Sequence, residues 1–313
     1  MITLYIVVPC YNEEEVLPET GRRLTKKMQE LCTKELISEE SRIVFVDDGS
    51  KDRTWELIES MHGQNTYVNG IKLSRNKGHQ NALMAGMMTV KGKADAIITL
   101  DADLQDDINA IDGFLQKFKE GCDVVYGVRS SRQTDTFFKR HTALFFYRLM
   151  KSLGVDIVYN HADYRLMSKR AVEALGKFKE VNLFLRGVVP LIGYRSGTVE
   201  YERHERFAGE SKYPLQKMLA FAWEGITSFS VKPIRLIAAV GGIIFAISII
   251  MLIYFLIVFA AGHTVPGWTS LIISIWAIGG LQILGTGIIG EYIGKIYLEA
   301  KGRPQYLVED YLE

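Results

Sequence analysis

Apolar residues in the first 127 positions of this chain fall into short unbroken blocks, each followed by a longer stretch with helical spacing. The blocks run from Leu4 to Val8, Ile43 to Val46, Val68 to Leu73, Ala94 to Leu100 and Val124 to Gly127, and all have strand length. Between them, Glu14 to Leu31, Trp55 to Met61, Gln80 to Val90 and Ile108 to Phe118 have the spacing of amphipathic helices. Strands separated by helices of about ten residues predict βαβ units and a largely parallel, Rossmann-like sheet. The expected fold is α/β, a nucleotide-binding domain. Such sheets place their sites where the strands end and the loops open.

The last third has a different pattern. From Leu236 to Gly262 there are 27 residues without a formal charge, and from Gly267 to Gly290 another 24. Either run exceeds the ~20 residues that span a bilayer core, so the expectation is a two-helix transmembrane hairpin; a buried hairpin in a soluble protein is the competing reading. The connector, His263 to Pro266, has no Lys or Arg, while Lys232, Arg235, Lys295, Lys301 and Arg303 flank the outer ends. The positive-inside rule then places both outer ends in the cytoplasm. Upstream, Leu215 to Phe229 has only Lys217 and Glu224 as charges and suits a helix lying in the interface. The expected organisation is a cytoplasmic catalytic domain over 1–213, an interfacial helix over 214–232, a hairpin over 233–293 and a cytoplasmic tail over 294–313. Gly279, Gly280, Gly285, Gly287 and Gly290 would permit close helix packing, including a homo-oligomer.

Composition narrows this little. Thirty-seven basic and 36 acidic residues leave a formal charge of +1, so no global basic field points to nucleic acid. Locally, Arg129, Arg132, Lys139, Arg140, Arg148 and Lys151 face a single acid, Asp135, among five aromatic residues. That stretch suits an anionic membrane surface or a phosphate, and equally a core-facing helix with a solvated basic face. Cys10, Cys32 and Cys122 have no metal-ligand or disulfide spacing and fit a reducing compartment. Strand-like sequence begins at Leu4 without the features of a secretory signal, so the first two thirds are expected in the cytosol.

Candidate chemistry gathers at the strand ends. Thr99-Leu-Asp-Ala-Asp-Leu-Gln-Asp106 puts Asp101 and Asp103 beyond the fourth strand, two residues apart and so on the same side of an extended chain. Two convergent anions call for a cation or hydrogen-bond donors, and a hard divalent ion completed by substrate phosphates fits; turn capping by Asp101 is the bland competitor. Val46-Asp47-Asp48-Gly49-Ser50 places two more carboxylates at the second strand's tip, where they can accept from a ribose hydroxyl or a base N–H, or simply cap the turn. Arg75-Asn-Lys77-Gly78-His79 offers cations and a glycine ahead of a helix, a weak phosphate signal. Glu13 to Glu15 complement a helix dipole and on their own need be no more than that.

Together, Val-Pro-x-Tyr-Asn-Glu-Glu at 8–14, Val-Asp-Asp-Gly-Ser-x-Asp-x-Thr at 46–54, Arg-Asn-x-Gly at 75–78 and Asp-Ala-Asp-Leu-Gln-Asp at 101–106 resemble the inverting glycosyltransferases of GT-A fold. With the apolar hairpin, the chain is similar to the polyprenyl-phosphate glycosyltransferases, which include bactoprenol glucosyltransferases and dolichol-phosphate mannose synthases. The resemblance implies that Pro9, Tyr11, Glu13 and Asp48, with Asp47, Lys77, Gly78, Asp101 and Ala102, bind a nucleotide-sugar. It likewise implies that Asp101, Asp103 and Gln105 hold Mg²⁺ or Mn²⁺. His161-Ala-Asp163-Tyr-Arg165-Leu and Phe184-Leu-Arg186-Gly match its catalytic segments, which places Asp163, Arg165 and Arg186 at the catalytic centre, with Asp163 as base or as an orienting group. Arg203, Arg206, Ser211 and Lys212 would meet the lipid phosphate. The activity implied is transfer of a hexose from a nucleotide diphosphate sugar, UDP-glucose or UDP-N-acetylglucosamine first, to undecaprenyl phosphate at the cytoplasmic membrane face. A processive polysaccharide synthase and a non-catalytic nucleotide-sugar-binding scaffold are the alternatives. The Gln-x-x-Arg-Trp motif of such synthases does not occur in the chain.

Overall fold

A computed structural model describes residues 1–130, 161–180, 184–203, 232–261 and 267–313. The elements in chain order are β1 (Leu4–Cys10), α1 (Leu17–Thr33), β2 (Arg42–Asp47), α2 (Thr54–Gln64), β3 (Val68–Leu73), α3 (His79–Val90), β4 (Ala96–Thr99), α4 (Ala110–Lys119) and β5 (Val124–Arg129). They continue with β6 (His161–Ser168), α5 (Lys169–Leu175), α6 (Leu185–Leu191), β7 (Ser196–Tyr201), α7 (Lys232–Ala260), α8 (Trp268–Lys301) and β8 (Val308–Leu312).

Eight strands form one sheet in the order β7-β5-β6-β4-β1-β2-β3-β8. The centre is parallel, β4-β1-β2-β3, as the alternation of blocks predicts. Every residue of β1 is buried, because helices cover both faces of a parallel sheet and leave no side free for water. Leu4, Ile6 and Val8 pack towards α1, α2 and α4, and Tyr5 and Val7 towards α3, α5 and α6. Gly86 lets α3 seat closely on that second face, since a Cβ there would come within 2.4 Å of Val7 and 2.9 Å of Val46. Close seating fixes where the α3 N-terminus, and with it His79, meets the strand tips.

Three strands lie outside the predicted set. The largest consequence comes from β6, which inserts antiparallel between β4 and β5 with Thr99 opposite Arg165. Running backwards, β6 begins where β4 ends, so its first residues reach the tip of the sheet. At one edge, β7 pairs parallel to β5. At the other, β8 pairs antiparallel to β3, so the stretch expected as a tail is a strand of the catalytic sheet. Tyr164 stacks edge-on between Phe114 and Tyr201, with ring centroids 4.7 and 5.3 Å apart, and ties β6 to α4 and β7.

Among the described residues one helix, α7, contains a window long and apolar enough to cross a membrane, Ile234–Met251, with mean hydropathy 2.4 and no part of it buried. In α8, Gly285 approaches Ile237 of α7, at 3.3 Å from where its Cβ would stand. Gly302, at φ 55, ends α8 in the left-handed conformation and Pro304 follows, a sharp stop written in the sequence.

Candidate active site

Two kinds of loop meet at the carboxyl ends of the strands. The first joins β1, β2 and β3 through polar side chains bound to backbone. Asn12 donates its N–H to Ser50 Oγ at 2.9 Å and accepts from Lys51 N–H through Oδ1 at 2.8 Å. Thr54 Oγ1 accepts from Glu13 N–H, and Asp52 from Glu14 N–H. Asp47 accepts from Ser50 N–H at 3.2 Å. Both oxygens of buried Asp48 accept from the β3–α3 loop, from Lys77 N–H at 2.7 Å and Gly78 N–H at 2.8 Å. Gly49 makes this possible: at φ 67, its Cβ would stand 2.6 Å from Asn76 N. In this network Asp48 braces Lys77 and Gly78 while Asp47 caps the turn at Ser50, beside any role with a nucleotide. Tyr11, 42% exposed, stands clear at its rim, while Pro9 is paired within β1 beside Val46.

The second kind carries charge rather than bracing. Beyond β4 the chain turns instead of staying extended, with Leu104 at φ 57, so Asp101 and Asp103 do not share a strand face as alternation predicts. Asp103 Oδ1 accepts from Gln105 N–H at 3.2 Å, a local turn bond. Ala102 is buried and its carbonyl accepts from Thr20 of α1 at 2.7 Å. Gln105 Oε1 accepts from Arg203, so the structure turns it towards a guanidinium rather than offering it to a cation. Asp106 accepts from Tyr201 at 2.6 Å and lies 3.5 Å from Arg129.

Across this loop lies β6. Extending the Thr99–Arg165 register by two residues brings Asp163 opposite Asp101, and His79 at the start of α3 spans them. Its Nε2 is 3.5 Å from Asp101 Oδ1 and 3.9 Å from Asp163 Oδ2. From α6, Arg186 reaches Asp163 Oδ2 at 3.0 Å and Oδ1 at 3.4 Å. Arg165, two residues along the strand, donates to Asp163 Oδ1 at 2.5 Å from a position only 1% exposed. Arg165 thus stands behind Asp163 in the core, its guanidinium on that carboxylate. Arg186, its side chain 33% exposed, can reach a ligand. Gln80 accepts from Leu185 N–H at 2.7 Å, tying the starts of α3 and α6 together.

The two acids differ in charge behaviour. Burial, with the charges of Asp106, Asp163 and Asp103, pushes the Asp101 carboxyl up to about 6 against the pull of His79. Burial also opposes the charge on Asp163, but Arg186, Arg165 and His79 outweigh it and hold that carboxyl well below the usual range. Asp163 thus stays ionised and is a poor acceptor of protons.

Asp101 Oδ1 is buried without a hydrogen-bond partner. An orphaned anionic oxygen is costly, and a divalent cation would satisfy it. Among the described residues no group of three His, Cys, Asp or Glu is placed to hold a metal, so Asp101 and Asp103 fit one only with substrate phosphates completing the set. Arg206, Ser211, Lys212, all of the expected interfacial segment 214–232 but Lys232, and most of the basic stretch 129–151 lie outside the described residues.

His79 is the residue that sequence reading undervalued. Its only signal was position, directly after a glycine at a helix start; what it faces depends on β6.

Residues 5–176 match the family described as Glycosyl transferase family 2. The chain belongs to that family. It is 57% identical over 306 residues to the uncharacterized glycosyltransferase YkoT of Bacillus subtilis, covering 98% of this chain and 91% of that protein. It is 40% identical over 307 residues to a protein named bactoprenol glucosyl transferase in Shigella phage SfV, covering 97% of each. The SfII prophage-derived bactoprenol glucosyl transferase of Shigella flexneri is also 40% identical, over 97% of this chain and 96% of that one. The chain is a glycosyltransferase, with the mostly parallel α/β sheet typical of GT-A enzymes. The end of β4, the start of β6 and the starts of α3 and α6 converge on the acid, His and Arg cluster.

Proposed function

We propose that this glycosyltransferase moves a hexose, from UDP-glucose or UDP-N-acetylglucosamine, to undecaprenyl phosphate at the cytoplasmic membrane face with inversion at the sugar. The observation that carries this reading is the pairing of Arg186 with Asp163, whose carboxyl is held below its usual range, beside the Asp101 oxygen that makes no hydrogen bond. Relatives named bactoprenol glucosyl transferase support the acceptor, and the apolar, unburied α7 supports a site kept at a membrane. The α7–α8 pair would form the anchoring hairpin, both outer ends cytoplasmic.

The acceptor's chemistry suits this site. A phosphate monoester has its second pKa near ~6, so the attacking oxygen is already anionic at neutral pH and needs no proton removed. Asp163 then orients Arg186 towards the acceptor phosphate, which a guanidinium can grip bidentately. Tyr11 offers a ring to the donor's base, with Glu13 two residues on and Asp47 buried beneath in the bracing network. Asp101 and Asp103 would hold Mg²⁺ or Mn²⁺, whose chemistry is to offset the charge growing on the departing nucleoside diphosphate. Arg203, Arg206, Ser211 and Lys212 are proposed on the lipid side.

The test is purified full-length protein in vesicles containing undecaprenyl phosphate, given labelled nucleotide-sugars with Mn²⁺. Label moving into the lipid fraction for one donor supports the reading. Nucleotide-sugar binding without release of nucleoside diphosphate for any donor would favour a scaffold instead.

A further inference from the structure

The last ten residues make an unusual set of contacts for a stretch that follows α8, the second helix of the proposed hairpin. Only six residues, 302–307, separate the end of α8 from the start of β8. Within them, Gln305 Nε2 donates to the Glu180 carbonyl, and the Leu307 carbonyl accepts from Ser74 N–H at 3.0 Å. Both partners lead into the active site. Glu180 lies five residues before α6 with its Arg186, and Ser74 opens the loop that ends in Lys77, Gly78 and His79.

Beyond this point the chain is sewn to the sheet. Gly70, Ile71, Lys72 and Leu73 pair with β8. Lys72 reaches Glu309 at 3.1 Å, and Lys93 pairs with Glu313 and lies 5.0 Å over the Tyr311 ring. Leu312 packs beside Trp55 and Ile58 near Gly70, while Tyr306 and Tyr311 pack on the α3 face of the core. Burial and the charge of Glu299, near the end of α8, raise the Glu180 carboxyl above its usual range, so the helix end stands close to this loop.

We infer that residues 302–313 are a strap that sets the height of the active site above the bilayer, with Gln305 as the positioning residue that holds the approach to Arg186 to the end of α8. The inference rests on the lipid acceptor proposed above. An acceptor phosphate anchored in a bilayer cannot move to the site, so the site must be held at its level; a short acceptor in solution carries no such demand. The strap's other contacts run through the Leu307 backbone to Ser74, through the β3–β8 pairing, and through Lys93 and the α3 face of the core. Among the described residues, Gln305 is the strap side chain that hydrogen-bonds to the α6 approach.

The experiment compares wild type with Gln305→Ala, Gln305→Glu and Gln305→Lys, all full length, in phosphatidylethanolamine and phosphatidylglycerol vesicles holding undecaprenyl phosphate. UDP-glucose, or whichever donor wild type uses, is supplied, and a parallel arm uses a water-soluble two-isoprene phosphate in detergent. Gln305→Ala and Gln305→Glu, which lose the donor group, should lower kcat/KM for undecaprenyl phosphate roughly three- to tenfold, with KM for the donor sugar and use of the short acceptor unchanged. Gln305→Lys, still able to donate to Glu180, should stay near wild type. Equal losses with both acceptors would mean that Gln305 serves only stability and would overturn the inference, as would unchanged rates in vesicles. Wild type transferring to neither acceptor with any donor would overturn the lipid-acceptor reading itself, and the strap with it.

Discussion

The tips of β1, β2 and β3 and the tips of β4 and β6 are equally rich in acids and use them in opposite ways. In the first region carboxylates are consumed by backbone N–H groups: Asp48 alone closes two hydrogen bonds on the Lys77–Gly78 peptide units. In the second region Asp101 keeps a buried oxygen that, among the described residues, makes no hydrogen bond and has only His79 at 3.5 Å, and Asp163 balances two guanidinium groups. The contrast teaches that acidic motifs at strand tips divide into those that build the loops and those left in electrostatic tension for a ligand to relieve.

That contrast breaks most directly at Asp101. Asp101→Asn should cut turnover roughly a hundredfold or more, because it weakens the charge offered to a cation, while the melting temperature stays the same or rises. The sign follows from its raised carboxyl: the fold disfavours this charge, so removing it at neutral pH relieves the protein. Turnover assays and calorimetry on one preparation check both halves.

Asp163→Asn should show the reverse balance. It leaves Arg165, 1% exposed, without its counter-charge, at a cost of about 3–5 kcal/mol, and it slows turnover less than loss of a true base would. Asp163 is held below its ordinary value, so the stability it contributes is present above pH ~4 and lost as pH falls through the lowered folded value. Acid unfolding of Asp163→Asn should be correspondingly flatter below pH ~4. A turnover loss of many orders of magnitude with an unchanged acid limb would reinstate Asp163 as base.

Asp48→Ala sharpens the comparison from the bracing side. Two charge-assisted bonds to the 77–78 backbone disappear, which should lower stability by about 2–4 kcal/mol. Catalysis should fall only through the loosened His79 loop. Gly49→Ala should cost less, about 1–3 kcal/mol, from positive φ and the close approach of Asn76. Denaturant unfolding of both measures the difference.

The parallel centre of the sheet was legible because buried parallel strands are continuous apolar runs; β1 to β5 follow them to within a few residues. The same rule hid β6, β7 and β8. His-Ala-Asp-Tyr-Arg-Leu-Met-Ser interrupts its apolar residues with the charges that make the site, Ser-Gly-Thr-Val-Glu-Tyr is an exposed edge, and Val-Glu-Asp-Tyr-Leu reads as polar tail. Asp101, Asp163 and Arg186 could each be named from motifs. Their meeting could not, because an antiparallel strand 60 residues away, not local spacing, brings Asp163 to Asp101 and gives His79 something to face. The depth of Arg165 was hidden for a related reason: alternation puts it on the same side as Asp163, and only burial shows that it stands behind.

One measurement bears most directly on the division between bracing and reacting acids: label transfer from nucleotide-sugar to undecaprenyl phosphate in vesicles, run for Asp101→Asn and Asp48→Asn beside wild type, with unfolding followed in the same samples. The account predicts lost transfer with an intact fold for Asp101→Asn, and a weakened fold with substantial transfer for Asp48→Asn. Full transfer by Asp101→Asn would contradict it.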